Sequence, residues 1–284
     1  MNDIRYRIYP SLLDKFQSYL DSDIEAESFW NIDSETGEMR LTPDEIAAAN
    51  EQALLDTINR VPHEPIEAAD KGTCFNEIVD CLISRKNTER EDISIESGAL
   101  DEQGAFVPNS SEVNATGPDV IRAQMDGFVF LFDTEVCKEA ARYFGRQAIP
   151  QHFCKGVITT AYGDVELYGY ADEIVRDKVY DIKTTSAYQF GKFERAWQKD
   201  VYPYCLVASG EMTTVSEFEY TVFQLTKPSA RNPVIGAKMY AEAYTYDHTE
   251  SEKRLRSFLE RFIEWLEANR ERITDEKIFN GQCI

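Results

Sequence analysis

Histidine is scarce in this 284-residue chain. The three that occur, His63, His152 and His248, show no HExxH or HxE spacing. Zinc hydrolase and zinc deaminase sites are excluded on that count. Six cysteines (Cys74, Cys81, Cys137, Cys154, Cys205 and Cys283) form no CxxC pair, so neither a zinc ribbon nor a tight iron–sulfur run is supported. Several lie in apolar stretches, where a thiol behaves as a small hydrophobe, and all six read as reduced core residues. No segment approaches the roughly 20 apolar residues needed to cross a bilayer. The first residues, Met1 to Arg5, offer no apolar signal region. A cytoplasmic location without a membrane partner is therefore expected. Basic residues are also in deficit: 30 Lys and Arg against 51 Asp and Glu give a net charge of −21. A protein that coats nucleic acid needs a basic surface. An enzyme with a local positive channel does not, and a carboxylate site that recruits a divalent cation adds to the negative count.

Hydrophobic residues make up 43% of the chain, enough to bury a large core. Apolar residues at 12, 13, 16, 19 and 20 predict a helix over 11–20. Thr42-Pro43-Asp44-Glu45 predicts a helix start with a capping box, running to about Asn59. A third helix is expected from Gly72-Thr73, with Phe75, Ile78, Val79, Leu82 and Ile83 on one side. Residues 87–118 turn polar and acidic and read as an exposed loop or insertion with a short strand near 105–107. The apolar run 128–143 reads as a helix. Segments 153–162, 165–175 and 179–184 are rich in β-branched and aromatic residues and read as a three-strand meander. A helix over 190–209, strands over 217–225 and 238–246, and an amphipathic helix over 249–272 complete the pattern. No internal repeat occurs. The fold class is α+β with an α/β-type core: a central mixed β-sheet flanked by helices, in a single domain. Residues 1–70 form a helical N-terminal part, and 119–284 hold the core and a C-terminal helix.

The chemistry concentrates in two neighbouring strands. Gly169-Tyr170-Ala171-Asp172 lies in the first and Asp181-Ile182-Lys183-Thr184 in the second. Residues two apart on a strand face the same way, so Asp181 and Lys183 project side by side. If the hairpin turns at Arg176-Asp177-Lys178, Asp172 lies across from them. Carboxylate oxygens are the ligands Mg²⁺ prefers, and the cation can polarise a phosphodiester and activate water. A lysine beside it can orient the water, assist its deprotonation or neutralise developing charge. Alone, Asp181-Ile182-Lys183 is near chance level and usually means an exposed ion pair. Its weight comes from an apolar strand context and from the upstream Gly169-xx-Asp172. Gln198 and Tyr202 then fall four apart on one helical face. They form either a surface pair or a polar pair that reaches a nucleic-acid backbone or fixes the site. Lys178, Lys183, Lys192, Arg195 and Lys199 are the nearby basic residues. Lys192, Arg195 and Lys199 fall on roughly one helical face, which could follow a phosphate backbone or simply be solvated.

Gly169-xx-Asp172, Asp181-Ile182-Lys183 and Gln198-xxx-Tyr202, in this order and at these gaps, resemble the PD-(D/E)XK nuclease superfamily, in its RecB-like and phage-exonuclease branch. The Gly72-Thr73-Cys74-Phe75-Asn76-Glu77-Ile78-Val79-Asp80 segment resembles that branch's Gly-Thr-xx-His-xxx-Glu helix, and the 11–20 segment its opening helix. The resemblance implies a restriction-endonuclease-like core. It implies Mg²⁺ or Mn²⁺ held by Asp172, Asp181 and the Ile182 backbone carbonyl, with Lys183 catalytic. It implies DNA cleavage, often from an end, with Gln198, Tyr202, Thr184, Lys192, Arg195 and Lys199 on the nucleic-acid side. A phage or mobile-element recombination or repair module would supply the context, with a single-strand annealing protein as partner, and ring-shaped homo-oligomers occur in the branch. Two positions depart from the pattern. Asn76 replaces the family histidine, and Asp80 replaces the glutamate, with Glu77 as an alternative. The clustered cysteines of iron–sulfur members are missing, so no iron–sulfur cluster is expected. The competing reading is a catalytically inactive nuclease-fold protein whose acidic surface docks a basic partner. Another metal-dependent phosphoesterase is the third.

Overall fold

The computed structural model describes residues 4–111, 115–229 and 231–280. The chain opens with β1 (Ile4–Ile8), α1 (Pro10–Leu20), α2 (Ser22–Ala26), α3 (Pro43–Ile58) and α4 (Glu67–Ser84). Four strands follow, β2 (Ile93–Leu100), β3 (Phe106–Pro108), β4 (Asp119–Met125) and β5 (Phe128–Asp133), then α5 (Thr134–Phe144). The central part is β6 (Ile149–Thr160), β7 (Gly163–Val175), β8 (Lys178–Thr185) and α6 (Gln198–Ala208). It closes with β9 (Glu217–Leu225), β10 (Ala237–Thr245), α7 (His248–Ala268) and α8 (Lys277–Asn280). The fold is α+β. At α3 the capping box forms as its sequence dictates. Glu45 N–H donates to Thr42 Oγ1 at 3.3 Å, and Thr42 N–H donates to Glu45 Oε2 at 2.8 Å.

Six strands form a mixed sheet around β7. β6 runs antiparallel along nearly all of one edge of β7. The other edge is divided. β1 pairs in parallel with its first half, from Ile4↔Asp164 to Ile8↔Leu167. β8 pairs antiparallel with its last turn, from Glu173↔Tyr180 to Val175↔Lys178. β8 then runs parallel to β9, and β9 antiparallel to β10. One face of the sheet packs against α1, α3, α6 and α7 through side chains such as Ile8, Leu13, Phe16, Tyr220 and Phe262. The other face packs against α4, α5 and a four-stranded antiparallel sheet of order β3-β2-β4-β5, through Phe75, Ile78, Phe132, Ile182 and Phe223. Each large apolar side chain removed from water in these layers contributes about 1.5–3 kcal/mol.

Several sequence expectations are corrected. The stretch 87–118 is not simply an exposed loop. Its residues 93–100 form β2, paired with β4 from Ile93↔Met125 to Ala99↔Asp119. The pairing is long-range, so local polarity hid it. The run 128–143 is not one helix. Phe128-Val129-Phe130-Leu131-Phe132 is a strand, and Asp133 caps a new helix by accepting from Glu135 N–H and Val136 N–H. The 190–209 helix begins only at Gln198. β1, with its alternating Ile4-Arg5-Tyr6-Arg7-Ile8, precedes the helical N-terminal part. Five cysteines are free, four of them buried; Cys283 lies outside the described residues. No helix among the described residues is long and apolar enough to cross a membrane.

Candidate functional site

The divided edge of β7 creates the site. Pairing with β1 ends at Leu167 and pairing with β8 starts at Glu173, so residues 168–172 border a notch in the sheet. Asp172 stands at the fork. Its Oδ2 accepts the Ile182 N–H at 2.6 Å, in place of the ladder bond that the diverging strands no longer supply. Gln151 Nε2 donates to Oδ1 at 3.4 Å. Gln151 itself lies in the left-handed region (φ 49°), and Ala171 and Ile174 both reach the same core although they are three residues apart. The strands therefore take an irregular step at this point, which turns Asp172 into the notch. Two glycines let helices close on it. A Cβ at Gly169 would meet Tyr202 Cε1 at 2.7 Å, and one at Gly72 would meet Thr184 Oγ1 at 2.4 Å. Both glycines of the sequence motifs are thus positions of close approach.

Lys183 Nζ forms an ion pair with Asp181 Oδ2 at 2.8 Å. Asp181 is 4% exposed. Burial lifts the Asp172 carboxyl well above the ordinary range, and the Asp181 charge lifts it further; the Ile182 N–H and Lys183 pull the other way. Burial pushes the Lys183 ammonium down, but Asp181, Asp172 and Asp14 outweigh it and hold its pKa above the ordinary value. Burial, then the same two strand carboxylates, raises Tyr202. Gln198 and Tyr202 are each 8% exposed and lie against this cluster, so they do not present an open helix surface. Tyr220 O–H donates to Gln198 Oε1 at 3.5 Å.

Asp14, on α1, joins the cluster without any sequence motif to announce it. Trp197 N–H donates to its Oδ1 at 2.8 Å, which ties α1 to the start of α6. Burial raises its carboxyl to about 6, opposed by the Trp197 N–H and Lys183. Asp14, Lys183 and Gln198 line a cleft of about 530 Å³ with Asp21, Trp30 and Arg195.

On α4, Asp80 is buried with neither carboxylate oxygen hydrogen-bonded, and the same holds for Glu173, which sequence reasoning missed. Burial raises both carboxyls; beside each other, Asp80 raises Glu173 further. Asn76 Oδ1 is likewise buried and unpartnered. Glu77, the alternative to Asp80, accepts from Cys81 Sγ at 3.8 Å. Buried acceptor oxygens without donors need a proton or a cation. The carboxylates Asp14, Asp172 and Asp181 beside one ammonium sum to two negative charges when ionised, the charge that a divalent cation offsets. The donor chemistry therefore fits a hard cation, although among the described residues no three His, Cys, Asp or Glu side chains are drawn into a coordination shell.

The basic residues are placed differently from expectation. Lys192 and Arg195 precede α6, so they do not share a helical face with Lys199. Lys192 Nζ donates to Thr185 Oγ1 at 2.8 Å, at the end of β8. Arg195 pairs with Asp21 at 2.8 Å. Lys199 bonds the Glu194 carbonyl, lies 4.9 Å from the Tyr244 ring centroid, and is pushed down by burial. Lys178 pairs with Glu217 at 2.7 Å at the opposite end of β8 from Lys183.

No protein-family profile matches the chain. No curated protein matches it either. Among solved structures it is similar to the crystal structure of SSO0001 at 15% identity, with a TM-score of 0.28, over 42% of this chain and 50% of that one. The match spans half the length of that structure and carries no functional weight.

Proposed function

We propose that this chain is a metal-dependent nuclease of the PD-(D/E)XK type that hydrolyses DNA phosphodiester bonds, as an exonuclease of a recombination or repair module. The observation that supports it best is the fork between β7 and β8, where Asp172, Asp181 and Lys183 meet in a notch whose two glycines admit α4 and α6. Asp172, Asp181 and the Ile182 carbonyl would hold Mg²⁺ or Mn²⁺, with Asp80 or Asn76 as the further oxygen donor. A bound cation would polarise the phosphodiester and make water more acidic. Lys183, kept charged by its carboxylates, orients the attacking water and offsets the charge that builds on the phosphate oxygens. Tyr202 and Gln198 hold the strand and helix around that ammonium, at the side of the cleft that Lys183 and Gln198 line. Lys192 at the end of β8 is the cation best placed to meet the phosphate backbone.

Purified protein incubated with linear and circular DNA, with and without Mg²⁺ or Mn²⁺, tests this beside Lys183→Ala. Cation-dependent loss of the linear form alone by the wild type supports an exonuclease. Equal inertness of wild type and variant sinks the enzyme. One observation favours the inactive reading instead: Arg195, Lys199 and Lys178 are already engaged, and the cleft beside Lys183 carries Asp14, Asp21 and Glu25. An acidic cleft of that kind suits a basic partner, such as an annealing protein, better than a bare phosphate backbone.

A further inference from the structure

Asp14 is a carboxylate beside Lys183 that comes from outside the two strands. It stands on α1, and Trp197 N–H fixes one of its oxygens at 2.8 Å. Trp197 in turn stacks on Phe258 with ring centroids 4.3 Å apart. Asp14 lines the same cleft as Lys183. Lys183, however, is paired with Asp181 Oδ2 at 2.8 Å. That pairing competes with the metal-binding role proposed above. A carboxylate that takes a divalent cation at about 2.1 Å has less charge to offer an ammonium, and the two cations repel.

We propose that Asp14 is the positioning residue that receives Lys183 when a divalent cation engages Asp181, so that the ammonium stays aimed into the cleft. The inference rests on the metal-dependent reading. It gives α1 a role in the site that no motif assigns: Asp14 acts on the cation only through Lys183.

Mn²⁺ titration of the full chain, followed by calorimetry or by the Mn²⁺ spin-resonance signal, tests this without reference to activity. The set is wild type, Asp14→Asn, Lys183→Met and the double variant, each checked by a circular-dichroism melt. Asp14→Asn keeps an oxygen for the Trp197 N–H and removes only the charge. It should weaken Mn²⁺ binding about tenfold in the wild-type background, and less than about threefold beside Lys183→Met, where no ammonium has to move. Asp14→Glu should recover part of the loss. Equal penalties in both backgrounds would mean that Asp14 acts on the cation directly, and would overturn the inference. So would no penalty in either, which leaves Asp14 as an anchor of α6. Lys183→Gln replaces Lys183→Met if the latter does not fold. A wild type that binds no Mn²⁺ overturns the metal-dependent reading itself, a different outcome from either of these.

Discussion

Gly72→Ala is a sharp probe of how α4 meets the site, because its sign should reverse with the residue opposite. An alanine Cβ would sit 2.4 Å from Thr184 Oγ1, while the Thr184 Cβ is 3.6 Å away. Thr184 is β-branched and stiff at χ1, so it cannot swing clear cheaply. Overpacking of this kind costs about 1–3 kcal/mol. Alanine in mid-helix regains about 1 kcal/mol over glycine. The single variant should therefore lose roughly 1 kcal/mol, which lowers Tm by about 2–4 °C in a chain of this size. In a Thr184→Ala background the clash is gone, the nearest remaining contact is ordinary, and Gly72→Ala should stabilise by roughly 1 kcal/mol. Thermal or denaturant unfolding of the four proteins reads the cycle. A stabilising Gly72→Ala in the wild-type background, or the same effect in both backgrounds, would refute the packing of α4 on β8. Because Thr184 follows Lys183 in β8, cleavage by the single variant should fall more than its stability does.

Lys183→Met should abolish cleavage, by about 100-fold or more. Without cation it should also lose about 3 kcal/mol in denaturant melts, since it strands the buried Asp181 charge, and Mg²⁺ should restore part of this; an unchanged melt contradicts the ion pair. Asp80 has a raised carboxyl pKa in the fold, so the native state binds more protons than the unfolded chain. That contribution is full below about pH 4 and is lost as pH rises through the folded value. Asp80→Asn should accordingly raise Tm in cation-free buffer at pH 8.5 and change it little at pH 4; a pH-independent shift would sink this account of Asp80. Arg254→Ala removes the cationic partner of buried Asp200, which Ser251 Oγ also bonds at 2.7 Å. A loss of about 1–3 kcal/mol is expected on unfolding, and none would mean the pair is idle.

Local signals specify a good part of the fold. The Thr42–Glu45 capping box, the hairpin strands that carry Asp172 and Asp181, β9, β10 and the amphipathic α7 are all where periodicity and caps place them. Elements whose pairing partners are distant carry no such signal. β2 is half polar and contains Ser97-Gly98, so only its register with β4 reveals it as a strand. The 128–143 run has no breaker, and a fully apolar strand and helix look alike there; Asp133-Thr134-Glu135 was the available boundary signal. At the site, the charged centre was legible because alternation along β8 puts Asp181 and Lys183 together. Asp14 was not: on α1 it reads as an ordinary polar-face residue, and only the docking of α1 against the start of α6 gives it a role. Glu173 was hidden by its neighbour Asp172, because its burial depends on α4. The spacing of Gln198 and Tyr202 makes them a pair, but their burial against the carboxylates comes only from the tertiary structure.

A crystal grown with Mn²⁺ gives the most direct measurement of the central claim, through the anomalous scattering of the metal. The account predicts a peak within coordination distance, about 2.1–2.2 Å, of both an Asp172 and an Asp181 oxygen. A peak confined to other carboxylates, or no peak at a concentration that saturates activity, would contradict it.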